Sequence, residues 1–421
     1  MVERSTLANG LRVLTCSMPH ALSVTVALLV GGGSRHESQE QCGAFHFIEH
    51  LCFKGTQRRP TPREISETIE GVGGFMNAGT DRELTTYWCK VAGPHLAITV
   101  DLLADMVRNS LFDPEEIERE RTVILEELAM TRDNPDDWVE VLVDELLWPD
   151  QPLGRDIGGT PETVQDLSRE TLLSCMGSQY TPSNTVVVVA GNVSHAETVE
   201  LLETHLGDWP RREPTAWLPA QDGQTAPRLR VQRLHAEQAH ISLALHGLSA
   251  SHPQRYALDL LSVILGEGMS SRLFLELRER QGLVYHVGTA ISHFQDAGAL
   301  AVSAATTPKK GAQAVQSILR EFEKMKAGVS REELAKAKEM GKGRLLLRLE
   351  DTRGMAFWAG GQELLLERVV TVDEAVGRID AVSVDEVVDL ARDLLVPEHM
   401  SLAVVGPYRS PARFEKLLGG I

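Results

Sequence analysis

No stretch of the chain approaches the roughly 18 uninterrupted apolar residues that a membrane-spanning helix requires. The longest apolar strand candidate, Val24 to Val30, is short. The N-terminus, Met1-Val2-Glu3-Arg4-Ser5, has neither the basic-then-apolar order of a signal peptide nor the Arg-rich, acid-poor character of a transit peptide, so a cytoplasmic protein is expected. Cysteine is scarce: Cys16, Cys42, Cys52, Cys89 and Cys175 are odd in number and scattered, with no CxxC, which excludes a disulfide framework. Basic residues are outnumbered, 42 Lys and Arg against 59 Asp and Glu, for a formal charge of −17. A field of that sign repels nucleic acid and attracts basic peptides. No nucleic-acid partner and no membrane are therefore expected, and the same charge would serve solubility equally well. The length of 421 residues and the ordinary apolar content suit two or three domains, each able to bury a core.

Against this background the segment His46-Phe47-Ile48-Glu49-His50 stands out. Residues three and four apart share one side of a helix, so His46, Glu49 and His50 converge. Neutral imidazoles bind zinc well, and an unligated carboxylate beside them can take a proton from an activated water. Phe45, Phe47, Ile48, Leu51 and Phe53 surround the motif, as they would around histidines that merely sit in a core. By chance, however, the HxxEH pattern is expected only on the order of a few hundredths of a time at this His and Glu content. Cys42 lies four residues before His46 and is a further candidate ligand if the helix extends back to it.

An open tetrahedral zinc site needs a third protein ligand. Asp113-Pro114-Glu115-Glu116 has the order of a helix start, with Asp113 at the N-cap, Pro114 in the first turn and Glu116 completing a capping box; the helix should run to about Thr131. On a wheel of about 100° per residue, Ile117, Ile124 and Leu128 form the apolar stripe and Glu126 projects to the opposite side. Glu120 and Glu127 lie at the edge of the stripe, where half-burial of a carboxylate is costly unless it is paired or metal-bound.

With these two segments in place, the chain resembles the pitrilysin (M16) family of zinc metallopeptidases, in the branch of processing peptidases. HxxEH followed after some seventy residues by an E-x6-E helix is the pattern of that family, and here Glu127 follows His50 by 77 positions. The resemblance implies one zinc ion per chain held by His46, His50 and Glu127, with Glu49 as general base and Glu120 as an auxiliary carboxylate. Gly31 to Arg35, Phe53 to Thr56 and Asn77-Ala78-Gly79-Thr80 fit the same family. It further implies an edge strand from Asn77 to Tyr87 against which an extended substrate pairs, with Asn77 and Ala78 as contacts.

Pro210, Pro214, Pro219 and Pro227 mark the boundary between an N-terminal zinc-binding domain, 1–210, and a C-terminal domain, 229–421, joined by a linker at 211–228. Val164 to Gly191 aligns without a gap on Ile379 to Gly406 at an offset of 215, matching Ser168 to Ser383, Pro182 to Pro397 and Gly191 to Gly406. Each half alternates strands with long helices, which suggests two related α+β domains, each a mainly antiparallel sheet with helices on one face. In the family these face each other across a cleft. The second half lacks HxxEH, and its corresponding helix, Ala257 to Leu265, is apolar. Arg278 and Tyr285 match the family's R-x6-Y pair, which implies that they bind the substrate backbone near the metal. The resemblance as a whole implies a zinc endopeptidase acting on unfolded or presequence-like peptides, as a homodimer. The alternative is a non-catalytic subunit of a processing-peptidase-like heterodimer.

Overall fold

The computed structural model describes residues 2–419. Among these, eleven strands form two sheets. The first contains β1 (Val2–Thr6), β2 (Arg12–Ser17), β3 (Ser23–Val30), β4 (Phe75–Thr80), β5 (Thr85–Ala92) and β6 (Thr185–Gly191) in the order β1-β2-β6-β3-β5-β4. The second contains β7 (Arg228–Arg233), β8 (Ala239–His246), β9 (Val284–His293), β10 (Gly298–Thr306) and β11 (Ser401–Gly406) in the order β7-β11-β8-β10-β9. Each sheet has one parallel pair, β2 with β6 and β7 with β11, and is otherwise antiparallel.

Apart from β1, the two strand orders are the same. The gapless offset of 215 carries the helix Arg169–Gln179 onto the helix Val384–Leu394. Each is capped by the matched serine: Ser168 accepts from the Thr171 amide and Ser383 from the Glu386 amide. In both, a short helical turn at proline follows and leads into the central strand β6 or β11. The repeat is therefore structural, and the two α+β units are related.

Period-two alternation explains how each sheet is covered. Val24, Val26, Leu28 and Val30 of β3 and Val187 and Val189 of β6 join the core formed with the main helical layer. The intervening Ala27, Leu29, Val186, Val188 and Ala190 face the other way, where Ala356, Ala359 and Leu364 of the helix Thr352–Leu366 cover them. In the second sheet Ile241, Leu243, Val302 and Leu402 belong to the main core, whereas Ala244, Ala403 and Val405 meet Val139, Leu142 and Val143 of the helix Pro135–Leu147. Each sheet thus has its principal helical layer on one face and a single long helix on the other.

These back-face helices make both compact units discontinuous. One unit comprises the chain up to Leu128, Asp156–Leu218 and Leu346–Val370; the other comprises Ala129–Arg155, Pro219–Leu345 and the chain from Thr371 onward. A division into contiguous halves at 211–228 differs from this in two segments, 129–155 and 346–370. The physical reason is that both faces of each sheet are apolar, and local periodicity does not say which helix covers the second one. Residues 210–226 carry neither helix nor strand. No helix among the described residues is long and apolar enough to cross a membrane.

The helix Thr352–Leu366 approaches its sheet closely at Gly360, where a Cβ would lie 2.6 Å from Leu29 Cδ1 and 2.9 Å from Val188 Cγ2. A valine there overpacks the layer, so Gly360→Val is expected to cost about 1–3 kcal/mol of unfolding free energy. Urea denaturation checks this, and an unchanged midpoint would contradict the close seating of the helix.

Candidate metal centre

The motif lies on a helix of eight residues, Ala44–Leu51, that is too short to stand alone and is fixed from three sides. Phe45, Phe47, Ile48 and Leu51 are buried beneath it, and Phe45 stacks on Tyr180 with ring centroids 6.4 Å apart. At its start Gly43 adopts φ 93°, in the left-handed region, and a Cβ there would meet the Gly158 carbonyl oxygen at 2.5 Å. The buried carboxylate of Glu37 accepts from the Gly43 amide (2.9 Å) and the Phe45 amide (2.8 Å), satisfying N–H groups that the helix leaves unpaired. Because the helix begins only at Ala44, Cys42 is not on its face. The Cys42 thiol instead donates to the Asp156 carbonyl at 3.6 Å, and the metal-ligand cluster does not include it. All five cysteines are free and buried.

The glutamates are carried by the helix Pro114–Asp133. Asp113 accepts from the amides of Glu115 (2.8 Å) and Glu116 (3.3 Å), as the N-cap reading requires. Glu116 does not complete a capping box, because its carboxylate pairs with Arg119 one turn on. Ile117 and Ile124 are buried, Glu120 is buried, Glu127 is half-buried and Glu126 is exposed.

His46, His50 and Glu127 bring one donor atom each to a common point. The two imidazole Nε2 atoms are 3.2 Å apart, and each is 3.7 Å from Glu127 Oε2. Two donors each about 2.1 Å from a tetrahedral ion are separated by about 3.4 Å. The donor set therefore fits a metal ion of zinc's size and geometry. His50 Nδ1 lies 3.0 Å from Glu120 Oε2, and the other oxygen of Glu120 takes the Lys54 ammonium at 2.6 Å. This outer carboxylate fixes the His50 ring with its Nε2 lone pair toward the cluster. The Thr80 hydroxyl donates to Glu49 Oε2 at 2.6 Å and holds that carboxylate beside the ligands without making it one.

Electrostatics sort these groups. Burial, reinforced by the neighbouring His50, pushes His46 down to about 4, and its buried Nδ1 has no hydrogen-bond partner, so the ring stays neutral. Burial also acts to lower His50, but the Glu120 hydrogen bond and the charges of Glu127, Glu49 and Glu120 outweigh it and raise the pKa. Burial raises Glu49 against the opposing Thr80 hydrogen bond and so increases its affinity for a proton. For Glu120 burial is outweighed by hydrogen bonds from His50 and Lys54, and the carboxylate is held ionised.

Beside the cluster, β4 is the last strand of its sheet, with Asn77 exposed and Ala78 half-buried along it. An edge strand from Asn77 to Tyr87 is not what forms. The chain turns back after Thr80, and Tyr87 is buried in the interior strand β5, its hydroxyl 2.9 Å from that of Tyr180. The charged run Asp81-Arg82-Glu83 marks the turn at 81–84 that interrupts the expected single strand. Two working residues, Thr80 and Lys54, were not singled out by sequence reasoning. Their signal was their place in the short runs Asn77 to Thr80 and Phe53 to Thr56 that accompany the motif.

Arg278 and Tyr285 belong to the second unit. Arg278 is on a π-helical segment, Phe274–Arg280, where the expected helix is wound more loosely, and its guanidinium lies 5.0 Å over the Phe274 ring. Tyr285 is on β9, the edge strand of the second sheet, with more than half of its surface exposed. Among the described residues neither the Arg278 guanidinium nor the Tyr285 hydroxyl has a hydrogen-bond partner. The counterpart of the motif helix, Arg255–Gly266, is buried almost throughout and carries no metal-ligand cluster.

The family model described as insulinase (Peptidase family M16) matches residues 12–161, and the one described as Peptidase M16 inactive domain matches residues 166–340. The chain belongs to the M16 family of zinc proteases. It is 36% identical over 408 residues to an uncharacterized zinc protease, YmxG, of Bacillus subtilis, covering 97% of this chain and 98% of that one. To an uncharacterized zinc protease of Mycobacterium leprae it is 38% identical over 413 residues, 97% of this chain and 92% of that one. The crystal structure of a protease from Helicobacter pylori shares the fold with a TM-score of 0.91 at 23% identity, covering 97% and 99% of the two chains.

An added proton on His50 must go to Nε2, since Nδ1 is engaged by Glu120, and it then competes with the metal. The pKa of His50 is raised above 6.5, so metal affinity is expected to fall about tenfold per pH unit once the pH drops below that raised value. Glu120→Gln should weaken metal binding by roughly 10–100-fold. Chelator competition at several pH values measures both effects, and equal affinity for the variant would remove Glu120 from the site.

Proposed function

We propose that the chain is a zinc-dependent endopeptidase of processing-peptidase type that cleaves unfolded or presequence-like peptides. The observation that carries this reading is the convergence of His46, His50 and Glu127, with Glu49 held by Thr80 on the same helix as the two histidines. When bound, zinc supplies a positive charge that acidifies water and polarises a peptide carbonyl. Glu49, its proton affinity raised by burial, takes the proton of the attacking water and returns it to the leaving amine. Glu120 keeps the His50 ring oriented. Extended peptide adds to the open edge of β4 at Asn77 and Ala78, where main-chain pairing gives affinity with loose side-chain specificity. Arg278 and Tyr285 are assigned as donors to substrate carbonyls, a role supported by their exposure and their unpaired polar groups. The formal charge of −17 favours basic peptides.

A non-catalytic subunit has no need of the metal ligands, the base and the Arg/Tyr pair together, and this chain carries all of them. The same completeness supports a self-sufficient chain, working as a homodimer.

Glu49→Gln is expected to retain zinc and to lose hydrolysis of a basic, unstructured peptide by several orders of magnitude, as measured at matched metal content. Cleavage at the wild-type rate would refute the general-base role. Tyr285→Phe should lower kcat by about 10- to 1000-fold with the metal still bound, and steady-state kinetics showing full activity would remove Tyr285 from the site.

A further inference from the structure

At the end of β4 remote from Thr80, the same unit contains a cavity of about 850 Å³, within the range of small-ligand and side-chain pockets. It is lined by Leu22, Phe75, Trp88, Lys90, Asp351 and Arg353. Leu22 and Phe75 are 91% and 72% exposed, an unusual display of large apolar surface with no packing function. Trp88 is fixed edge-on against Phe357 at 6.3 Å and lies under the Arg353 guanidinium at 5.0 Å. Lys90 is paired with Asp351, which also caps the helix Thr352–Leu366, so that pair is internally neutralised. No carboxylate among the described residues pairs with Arg353.

The register of β4 connects this cavity to the metal centre. Phe75 pairs with Lys90 and Asn77 with Trp88, which places these four residues on one face of the sheet. Met76 and Ala78 turn to the opposite, helix-covered face, and so does Thr80, which holds Glu49. A peptide strand added to β4 sends its side chains alternately to the two faces. The peptide residue opposite Phe75 therefore points to the face of Trp88 and Lys90, into the cavity. It lies about five residues, or roughly 17 Å, along the strand from the one opposite Thr80.

We propose that this cavity is a specificity subsite that takes a large apolar or aromatic side chain of the substrate, about five residues from the bond that is cut. Arg353 disfavours lysine or arginine at that position. The proposal rests on the endopeptidase and strand-addition reading above. It narrows the substrate class to peptides that are basic overall yet carry an apolar residue at one fixed distance from the cleavage point.

The test uses unstructured, fluorescently labelled peptides in which a single Phe is moved position by position. Binding is measured by anisotropy to zinc-loaded Glu49→Gln protein, and cleavage sites are mapped with the wild type. One Phe position should bind about tenfold more tightly than Ser there, and Lys there should bind more weakly. The preference should vanish in Glu49→Gln chains that also carry the solvent-exposed changes Phe75→Ser or Leu22→Ser, and the wild type should cut about five residues away. Binding indifferent to the position of Phe, or a preference that survives both changes, overturns the subsite even if cleavage is efficient. A positional preference that is lost in these variants, without any cleavage by the wild type, supports the subsite and overturns the peptidase reading.

Discussion

The metal centre depends on the buried carboxylate of Glu37 at the start of the helix Ala44–Leu51. Eight residues are too few for a helix to persist by its own hydrogen bonds, yet this one must present two imidazoles and a carboxylate with sub-ångström consistency. Glu37 supplies charge-assisted bonds to two amides at its first turn, each worth about 1.5–3 kcal/mol. Gly43 permits the left-handed entry that brings those amides to the carboxylate, and the aromatic layer beneath fixes the helix in rotation. The convergence of His46 and His50 on Glu127 follows from that seating.

A second set of contacts tunes what the seating provides. Glu120 is buried only because Lys54 and His50 both bond to it, and through it the ring of His50 is oriented and its basicity raised. Glu49 experiences the opposite balance, with one hydroxyl against strong desolvation. Two glutamates within one site are thereby driven to different protonation behaviour by their partners. The hydroxyl that holds Glu49 comes from β4, the open edge strand of its sheet. Under the proposed mechanism, main-chain pairing and proton transfer would share one structural element.

Much of this was legible in the sequence because it is local. The i, i+3, i+4 spacing of the motif, the helical wheel separating Glu127 from Glu126, the serine caps at 168 and 383 and the repeat at offset 215 all depend on neighbours within a turn or two. The contacts not read from sequence are long-range. Glu37 reaches the helix across a glycine turn, Thr80 reaches Glu49 on that helix from the strand β4, and the helix Thr352–Leu366 covers a sheet formed by the other half of the chain. The hairpin at 81–84 was signalled by the charged run Asp81-Arg82-Glu83, whereas Cys42 appeared to be helical because the break at Gly43 depends on a contact with Gly158.

The helix Arg255–Gly266 occupies in the second unit the position that Ala44–Leu51 occupies in the first. It runs four residues longer, is buried at ten of its twelve positions and carries no histidine, its Asp259 pairing with His293 instead. The pair amounts to an internal control on the energetic burden of a reactive site. Where ligands must be displayed, the fold carries desolvated polar atoms, a shortened helix and a dedicated carboxylate to secure it. Where they need not be, the same position fills with ordinary core. Duplication has allowed one copy of the architecture to carry that burden while the other is free to be stable.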